Sequence, residues 1–154
     1  MTHLILFDGD ARDHLLPLTY TRPVADLRVG ILTIKEKWEH ALNLPTSFLT
    51  QDYLEALFPL NYGDDNLLVN GSLLPSQELI DAIYELEMGH AYTLGSELLA
   101  IRLDHDSVTA LTQGDDFGEL EAFELEELLP TRIRRPAHLF GQAGDEIRND
   151  FNTL

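Results

Sequence analysis

Three short strand-like runs, Leu4 to Phe7, Thr46 to Thr50 and Asn66 to Asn70, set the rhythm of the first half of the chain. Compact apolar runs of this length suit strands covered on both faces, and the first is closed by Asp8-Gly9-Asp10, a turn signal. Between the runs the period changes. Ile31, Ile34, Lys35, Trp38, Ala41 and Leu42 recur at helical spacing, which predicts a helix from Gly30 or Ile31 with Trp38 in the core and Lys35 and Lys37 among its more polar positions. Pro17 and Pro23 bias the residues before them away from helix, so the stretch leading to it is expected to be irregular. Gln51 to Phe58 reads as a second helix, N-capped by Thr50 and stopped by Pro59. Ser76 to Leu86 reads as a third, with Ser76 as N-cap and Leu79, Ile80, Ile83 and Leu86 on one face.

Beyond Gly89 the pattern shortens. Tyr92 to Leu94, Leu98 to Leu103 and Ser107 to Leu111 look like strands, with Asp104-His105-Asp106 as a turn between the last two. Glu119 to Leu129 is expected to be helical up to Pro130, and Asp145 to Phe151 offers one more short helix. Three strand, loop and helix units in succession predict an α/β fold: an open, mostly parallel Rossmann-like sheet with flanking helices and a β-rich C-terminal part. Such sheets bind ligands beyond the carboxyl ends of their strands, which here are Asp8 to Arg12, Thr50 to Asp52 and Asn70 to Ser72.

Length and charge narrow the classes. A chain of 154 residues fits a single domain, 1–154, with one sizeable core. Twenty-seven acidic residues against 10 basic ones give a formal charge of −17, a surface that repels a phosphate backbone, so nucleic acid is excluded as a general partner. The basic residues fall mainly in two windows, Arg12 to Lys37 and Arg132 to Arg148. The first window is the place to look for an anionic ligand. For Arg132, Arg134 and Arg135, pairing with nearby glutamates is the simpler expectation. There is no cysteine, no histidine pair at metal-ligand spacing, no leader-like N-terminus and no apolar stretch near the roughly 20 residues that span a bilayer. These features suit a cytoplasmic protein with no membrane partner.

The stretch Asp8-Gly9-Asp10-Ala11-Arg12, Leu15-Leu16-Pro17-Leu18-Thr19 and Arg22-Pro23-Val24, placed directly after the first strand, resembles the signature of the sugar nucleotidyltransferases. These enzymes join a sugar 1-phosphate to a nucleoside triphosphate and release pyrophosphate. The likeness is closer to a bacterial subgroup related to N-acetylglucosamine-1-phosphate uridylyltransferase. It continues through Leu49-Thr50-Gln51-Asp52-Tyr53-Leu54, Leu68-Val69-Asn70 and Asp150-Phe151. In that subgroup a domain of this kind precedes a left-handed β-helix. The resemblance therefore implies either a compact version of the enzyme or a piece of a longer chain whose β-helix would build a homo-oligomer.

The resemblance also implies roles. Arg12, helped by Arg22 or Arg28, would neutralise the phosphates of a nucleotide. Asp8 and Gly9 would belong to the phosphate loop, and Asn70, Gly71 and Ser72 would line the sugar side. Backbone N–H groups in such a loop cradle phosphate, and glycine lets the backbone come close. An active member would use Mg²⁺. Two positions depart from the pattern: Val24 stands where the family has a phosphate-binding lysine, and Ser72 stands where it has the metal-binding aspartate of a Gly-Asp pair. No metal ligand is therefore assigned. The two functional expectations are nucleotide-sugar synthesis or binding, and a non-catalytic module of the same fold that binds, or assembles with, an acyltransferase-type β-helix.

Overall fold

The computed structural model describes residues 2–8, 19, 23–29, 31–50, 54, 57–75, 77–94, 97–113, 121–124, 145–148 and 150. One six-stranded sheet runs through them, in the order β4 (Thr46–Leu49), β1 (Thr2–Phe7), β5 (Asp65–Asn70), β7 (Glu97–Leu103), β6 (His90–Leu94), β8 (Glu121–Glu124). β1 lies parallel to both β4 and β5, β6 lies parallel to β8, and β7 is antiparallel to its two neighbours. The parallel half and the β-rich half thus form one continuous sheet.

Alternation along β1 explains why its run is apolar without a polar break. Leu4 and Leu6 enter one core with Ile34, Trp38, Leu79, Ile83 and Leu99, while Ile5 enters the other with Leu68, Ile101 and Val108. The first core carries helices α1 (Ile34–Leu42) and α2 (Gln77–Tyr84), and the second carries α3 (His105–Thr112). Successive side chains of a strand point to opposite faces, so a strand covered on both sides needs apolar residues at every position. Trp38 is fully buried and its indole Nε1 donates to the Leu73 carbonyl at 2.9 Å, tying α1 to the turn after β5.

Several expected boundaries move, each for a local reason. The first helix begins at Ile34, because Arg28–Val29 (β2) and Leu32–Thr33 (β3) pair as a small antiparallel hairpin. Thr33 then caps the helix: its hydroxyl accepts the Glu36 N–H at 3.2 Å and the Glu36 carboxylate accepts the Thr33 N–H at 3.1 Å. This Thr-x-x-Glu capping box outweighs the helical spacing that began at Ile31. Ser107 to Leu111 is helix and not strand, because the Asp104 carboxylate accepts the Ser107 N–H at 2.8 Å and starts α3. Asp104-His105-Asp106 is therefore a helix start. Within Glu119 to Leu129, residues 121–124 form strand β8 beside β6, and the rest lies outside the described residues.

Of the expected 51–58 helix, 51–53 and 55–56 lie outside the described residues. What is described there is a single turn, in which the Leu57 and Phe58 N–H groups both bond to the Leu54 carbonyl. Ser76, the expected cap of α2, also lies outside them. Residues 145–148 are helical, as the acidic and apolar spacing there predicts. Among the described residues no helix is long and apolar enough to cross a membrane.

Candidate functional site

The parallel triplet β4-β1-β5 brings three carboxyl ends to one edge, and there the structure joins several of the residues singled out in the sequence. Asp8 follows β1 and is buried. Its Oδ1 accepts the Val24 N–H at 3.0 Å and its Oδ2 accepts the Thr50 hydroxyl at 2.6 Å. One carboxylate thus gathers the ends of β1 and β4 and the segment that returns at Pro23. Thr50, expected to cap a helix, spends its hydroxyl here.

At the end of β5 the Gly71 N–H donates to the Phe7 carbonyl at 2.7 Å, closing the edge between β5 and β1. A Cβ on Gly71 would stand 3.1 Å from both the Ala25 Cβ and the Phe7 carbonyl oxygen, so glycine is required for this close approach. Asn70 and Ser72 are both fully buried. The Ser72 hydroxyl and its own N–H donate to Asn70 Oδ1 at 2.7 and 3.0 Å, while Asn70 Nδ2 donates to the Leu98 carbonyl at 3.1 Å. The pair forms a satisfied internal knot that fastens β5 to the start of β7.

Asp8, Asn70, Gly71 and Ser72 therefore meet at the expected edge. Arg28 does not join them through any described contact: it is exposed on β2, and its Nη1 donates to the Ile31 carbonyl at the hairpin turn. Gly9, Arg12 and Arg22 lie outside the described residues, as do Arg132, Arg134 and Arg135. Thr19, from the Pro-Leu-Thr run, is fully buried. Val24, where the resemblance led to the expectation of a lysine, is also fully buried, and its N–H serves Asp8.

The basic residues that are described are already partnered. Lys35 pairs with Glu39 at 2.8 Å and Arg148 with Asp145 at 3.4 Å. Arg102 holds both oxygens of Asp65, at 2.8 and 2.5 Å, and donates to the Leu86 carbonyl. That pairing, first among the causes, holds the Asp65 carboxyl below its usual value, against the opposing effect of burial.

Sequence reasoning missed the most buried ionic cluster among the described residues. Lys37, expected on a polar face, is 5 % exposed and its Nζ lies 2.6 Å from Asp150 Oδ1 and 3.3 Å from Glu146 Oε2. Asp150 Oδ2 accepts the Ile31 and Leu32 N–H groups at 2.8 and 3.0 Å. Burial pushes the Asp150 carboxyl up, but the hydrogen bonds from Lys37, Leu32 and Ile31 together with the Lys37 charge outweigh it, so it sits below the usual carboxylate value. The anion held by the end of the Arg12 to Lys37 window is thus the chain's own Asp150. Residues 113 apart carry no local signal of such a pairing.

Among the described residues, two cavities lie near the sheet. One of about 160 Å³, behind Phe7 and Leu49 and reaching Leu98 and Leu111, is lined only by apolar residues and offers nothing to a phosphate. The other, about 380 Å³, is lined by His3, Thr46, Ser47 and Tyr62 among others, at the amino ends of β1 and β4, opposite to Asp8. No group of three or more potential metal-ligating side chains occurs among the described residues.

Comparison with known proteins agrees with this arrangement. The family described as sugar nucleotidyl transferase matches residues 4–154. Two solved structures share the fold: a putative glucose-1-phosphate thymidylyltransferase from Bacillus anthracis in complex with a sucrose (TM-score 0.55, 10% identity, covering 96% of each chain) and the inositol-1-phosphate CTP transferase from T. maritima (TM-score 0.52, 11% identity, covering 96% of this chain and 98% of that one). No curated protein matches the chain.

Proposed function

This chain belongs to the sugar nucleotidyl transferase family, and from that premise we propose that the carboxyl edge of β4-β1-β5 is a binding site for a sugar phosphate or nucleotide, used in nucleotide-sugar synthesis or binding. The observation that carries the reading is the meeting of Asp8, Thr50 and Gly71 at that edge, where residues 9–22 leave β1. Ligands of open α/β sheets enter at this end. In this reading Arg12 and Arg22 supply the positive charge that a phosphate needs, Gly9 gives it room, and the backbone from Asn70 to Ser72 meets the sugar. Arg28 takes the lesser part of drawing anions toward the edge. The closer kinship to the subgroup related to N-acetylglucosamine-1-phosphate uridylyltransferase, the attached β-helix, the homo-oligomer built through it and a cytoplasmic setting belong to the same proposal.

Nucleotidyltransferases of this kind generally use Mg²⁺. The described residues do not fit that ion. Ser72 is a buried hydroxyl engaged with Asn70, and both oxygens of Asp8 already accept hydrogen bonds. Magnesium demands several oxygen ligands in near-octahedral geometry, with at least one carboxylate as a rule. No catalytic step is therefore derived through it. The same knot, with Val24 buried in place of a lysine, favours the second reading: a non-catalytic module that retains the fold for ligand binding or for assembly.

Isothermal titration with UTP, TTP, CTP and their sugar 1-phosphate partners, with and without Mg²⁺, tests the proposal. A saturable heat from one of them, lost in Arg12→Ala or Arg22→Ala, is the expected result. Silence from every ligand sinks it.

A further inference from the structure

We propose that the cavity at the amino ends of β1 and β4 is a second binding site, separate from the carboxyl edge, and that it takes an uncharged polyol. Its volume, about 380 Å³, lies within the range of small-molecule sites. His3, Pro45, Thr46, Ser47, Asn61 and Tyr62 line it. The inference does not rest on the reading of the carboxyl edge.

The wall of this cavity is fixed before any ligand arrives. Ser47 is buried, and its hydroxyl donates to the Asn61 carbonyl at 2.8 Å and accepts the Asn61 N–H at 3.0 Å. Asn66, fully buried in β5, clamps the chain two residues further on: its Oδ1 accepts the Gly63 N–H at 2.9 Å and its Nδ2 donates to the Gly63 carbonyl at 2.8 Å. Between the clamps, the Tyr62 hydroxyl is hydrogen-bonded to that of Thr109 at 3.0 Å, and the Tyr62 ring lies 5.0 Å from the ring of His105 on α3. Two buried polar side chains and a helix thus hold residues 61–63 in place. A wall ordered in advance lowers the cost of ordering it around a ligand.

What the clamps leave free is a pair of side chains. The His3 imidazole and the Asn61 carboxamide make no hydrogen bond to any described residue, although the Asn61 backbone is engaged on both sides. The His3 ring is half-buried against Gly63, where a Cβ would stand 3.0 Å from its Cδ2 and Nε2, so glycine at this position makes room for the ring. The Thr46 hydroxyl donates to the Leu44 carbonyl at 3.0 Å and keeps its lone pairs as acceptors.

The lining decides the class of ligand. No lysine, arginine, aspartate or glutamate is part of it. A charged ligand would lose water there without gaining a counter-charge, and an anion would also meet the field of a protein of formal charge −17. The free groups suit hydroxyls instead. Neutral imidazole presents one donor and one acceptor nitrogen, and a carboxamide presents both kinds of group as well. Each hydroxyl of a polyol also donates and accepts, so two neighbouring hydroxyls answer His3 and Asn61 together. The rings of Pro45 and Tyr62 supply apolar surface for the C–H face of such a ligand.

Amide chemical-shift mapping of the labelled full chain tests the proposal, with methyl α-glucoside as the uncharged polyol. The expected result is saturable shifts at Leu4, Thr46, Ser47, Tyr62 and Gly63, with a dissociation constant on the order of millimolar. Asn61→Ala and His3→Phe should each weaken this binding by about three- to tenfold, the loss of one or two hydrogen bonds. Glucose 1-phosphate should saturate the same amides at least about threefold more weakly than the glucoside, whatever it does at Asp8 and Gly71. That second set of amides reads the carboxyl edge separately, so failure there and failure here are distinguishable. No saturation by the glucoside below about 100 mM overturns the proposal, as does binding that Asn61→Ala leaves unchanged. Uracil, an uncharged flat ring without hydroxyls on carbon chains, serves as the contrast: tighter binding of uracil than of the glucoside at these amides overturns the ligand class. His3→Phe is the variant at risk of misfolding. Asn61→Ala, whose side chain holds no described residue, should keep the unfolding midpoint and carries the comparison in that event.

Discussion

Replacing Asp150 by alanine removes one carboxylate that three donors share. Lys37 Nζ loses its 2.6 Å partner and keeps only Glu146 at 3.3 Å, while the Ile31 and Leu32 N–H groups lose their acceptor. Lys37 and Asp150 are 5 and 2 % exposed, so water does not replace the lost contacts freely. Breaking a buried ion pair by deleting one member costs about 3–5 kcal/mol, because the surviving charge remains desolvated. The orphaned N–H groups are part of that figure, since a shift of the hairpin that rehydrates one group exposes the others. At roughly 2–4 °C per kcal/mol for a chain of this size, the unfolding midpoint should fall by about 6–20 °C. Urea unfolding followed by circular dichroism, with an unchanged slope, measures the loss. A loss below about 1 kcal/mol would show that the cluster is solvated and would refute the reasoning.

The same change should reach the candidate site. The Ile34 N–H bonds to the Leu27 carbonyl and the Leu27 N–H to the Val24 carbonyl, and the Val24 N–H bonds to Asp8. A hairpin freed from Asp150 thus loosens the segment that lies over the edge.

The acid limb of the stability curve has a definite sign. Asp150, Asp65, Glu36 and Asp104 all have folded-state values below the usual carboxylate value. Each therefore stabilises the fold fully above its unfolded value, near 4, and loses that contribution as pH falls through the lower folded value. Stability should be flat from neutral pH to about 5 with respect to these groups and drop below about 4; Asp150→Asn should flatten part of that drop, and an unaltered acid limb in the variant would contradict the assignment. Gly71→Ala should cost about 1–3 kcal/mol in thermal unfolding, because the new methyl meets the Phe7 carbonyl, which belongs to the sheet backbone, at 3.1 Å; a neutral result would mean that the edge opens without cost.

Much of the sheet is legible in the sequence, and the reason lies in particular residues. Leu4 to Phe7 and Leu67 to Val69 are apolar at every position because helices cover both faces, and a run of that kind reads as a buried strand without knowledge of its neighbours. Ser107 to Leu111 misleads for the opposite reason. Its alternation suits a strand, and the deciding feature is one capping aspartate, Asp104, which sits in what also looks like a turn. Thr33-x-x-Glu36 was available as a helix start, but the apolar spacing begins earlier, at Ile31, and the hairpin that claims residues 28–33 is pinned by Asp150 from the far end of the chain. At the candidate site, the edge and its glycine follow from strand order, whereas the loss of openness at Asn70 and Ser72 depends on which oxygen accepts which proton. Residue types alone do not carry that information. Lys37 illustrates the same limit, because a lysine at a polar-looking position is buried only when a distant carboxylate makes it affordable.

The most direct measurement of the central claim is an amide chemical-shift map of the labelled protein titrated with glucose 1-phosphate. The account predicts saturable shifts clustered at Asp8, Val24, Ala25, Thr50, Gly71 and Leu73, around the carboxyl edge of β4-β1-β5. Shifts confined to His3, Thr46, Ser47 and Tyr62 at the opposite end of the sheet, or no shifts at all, would contradict it.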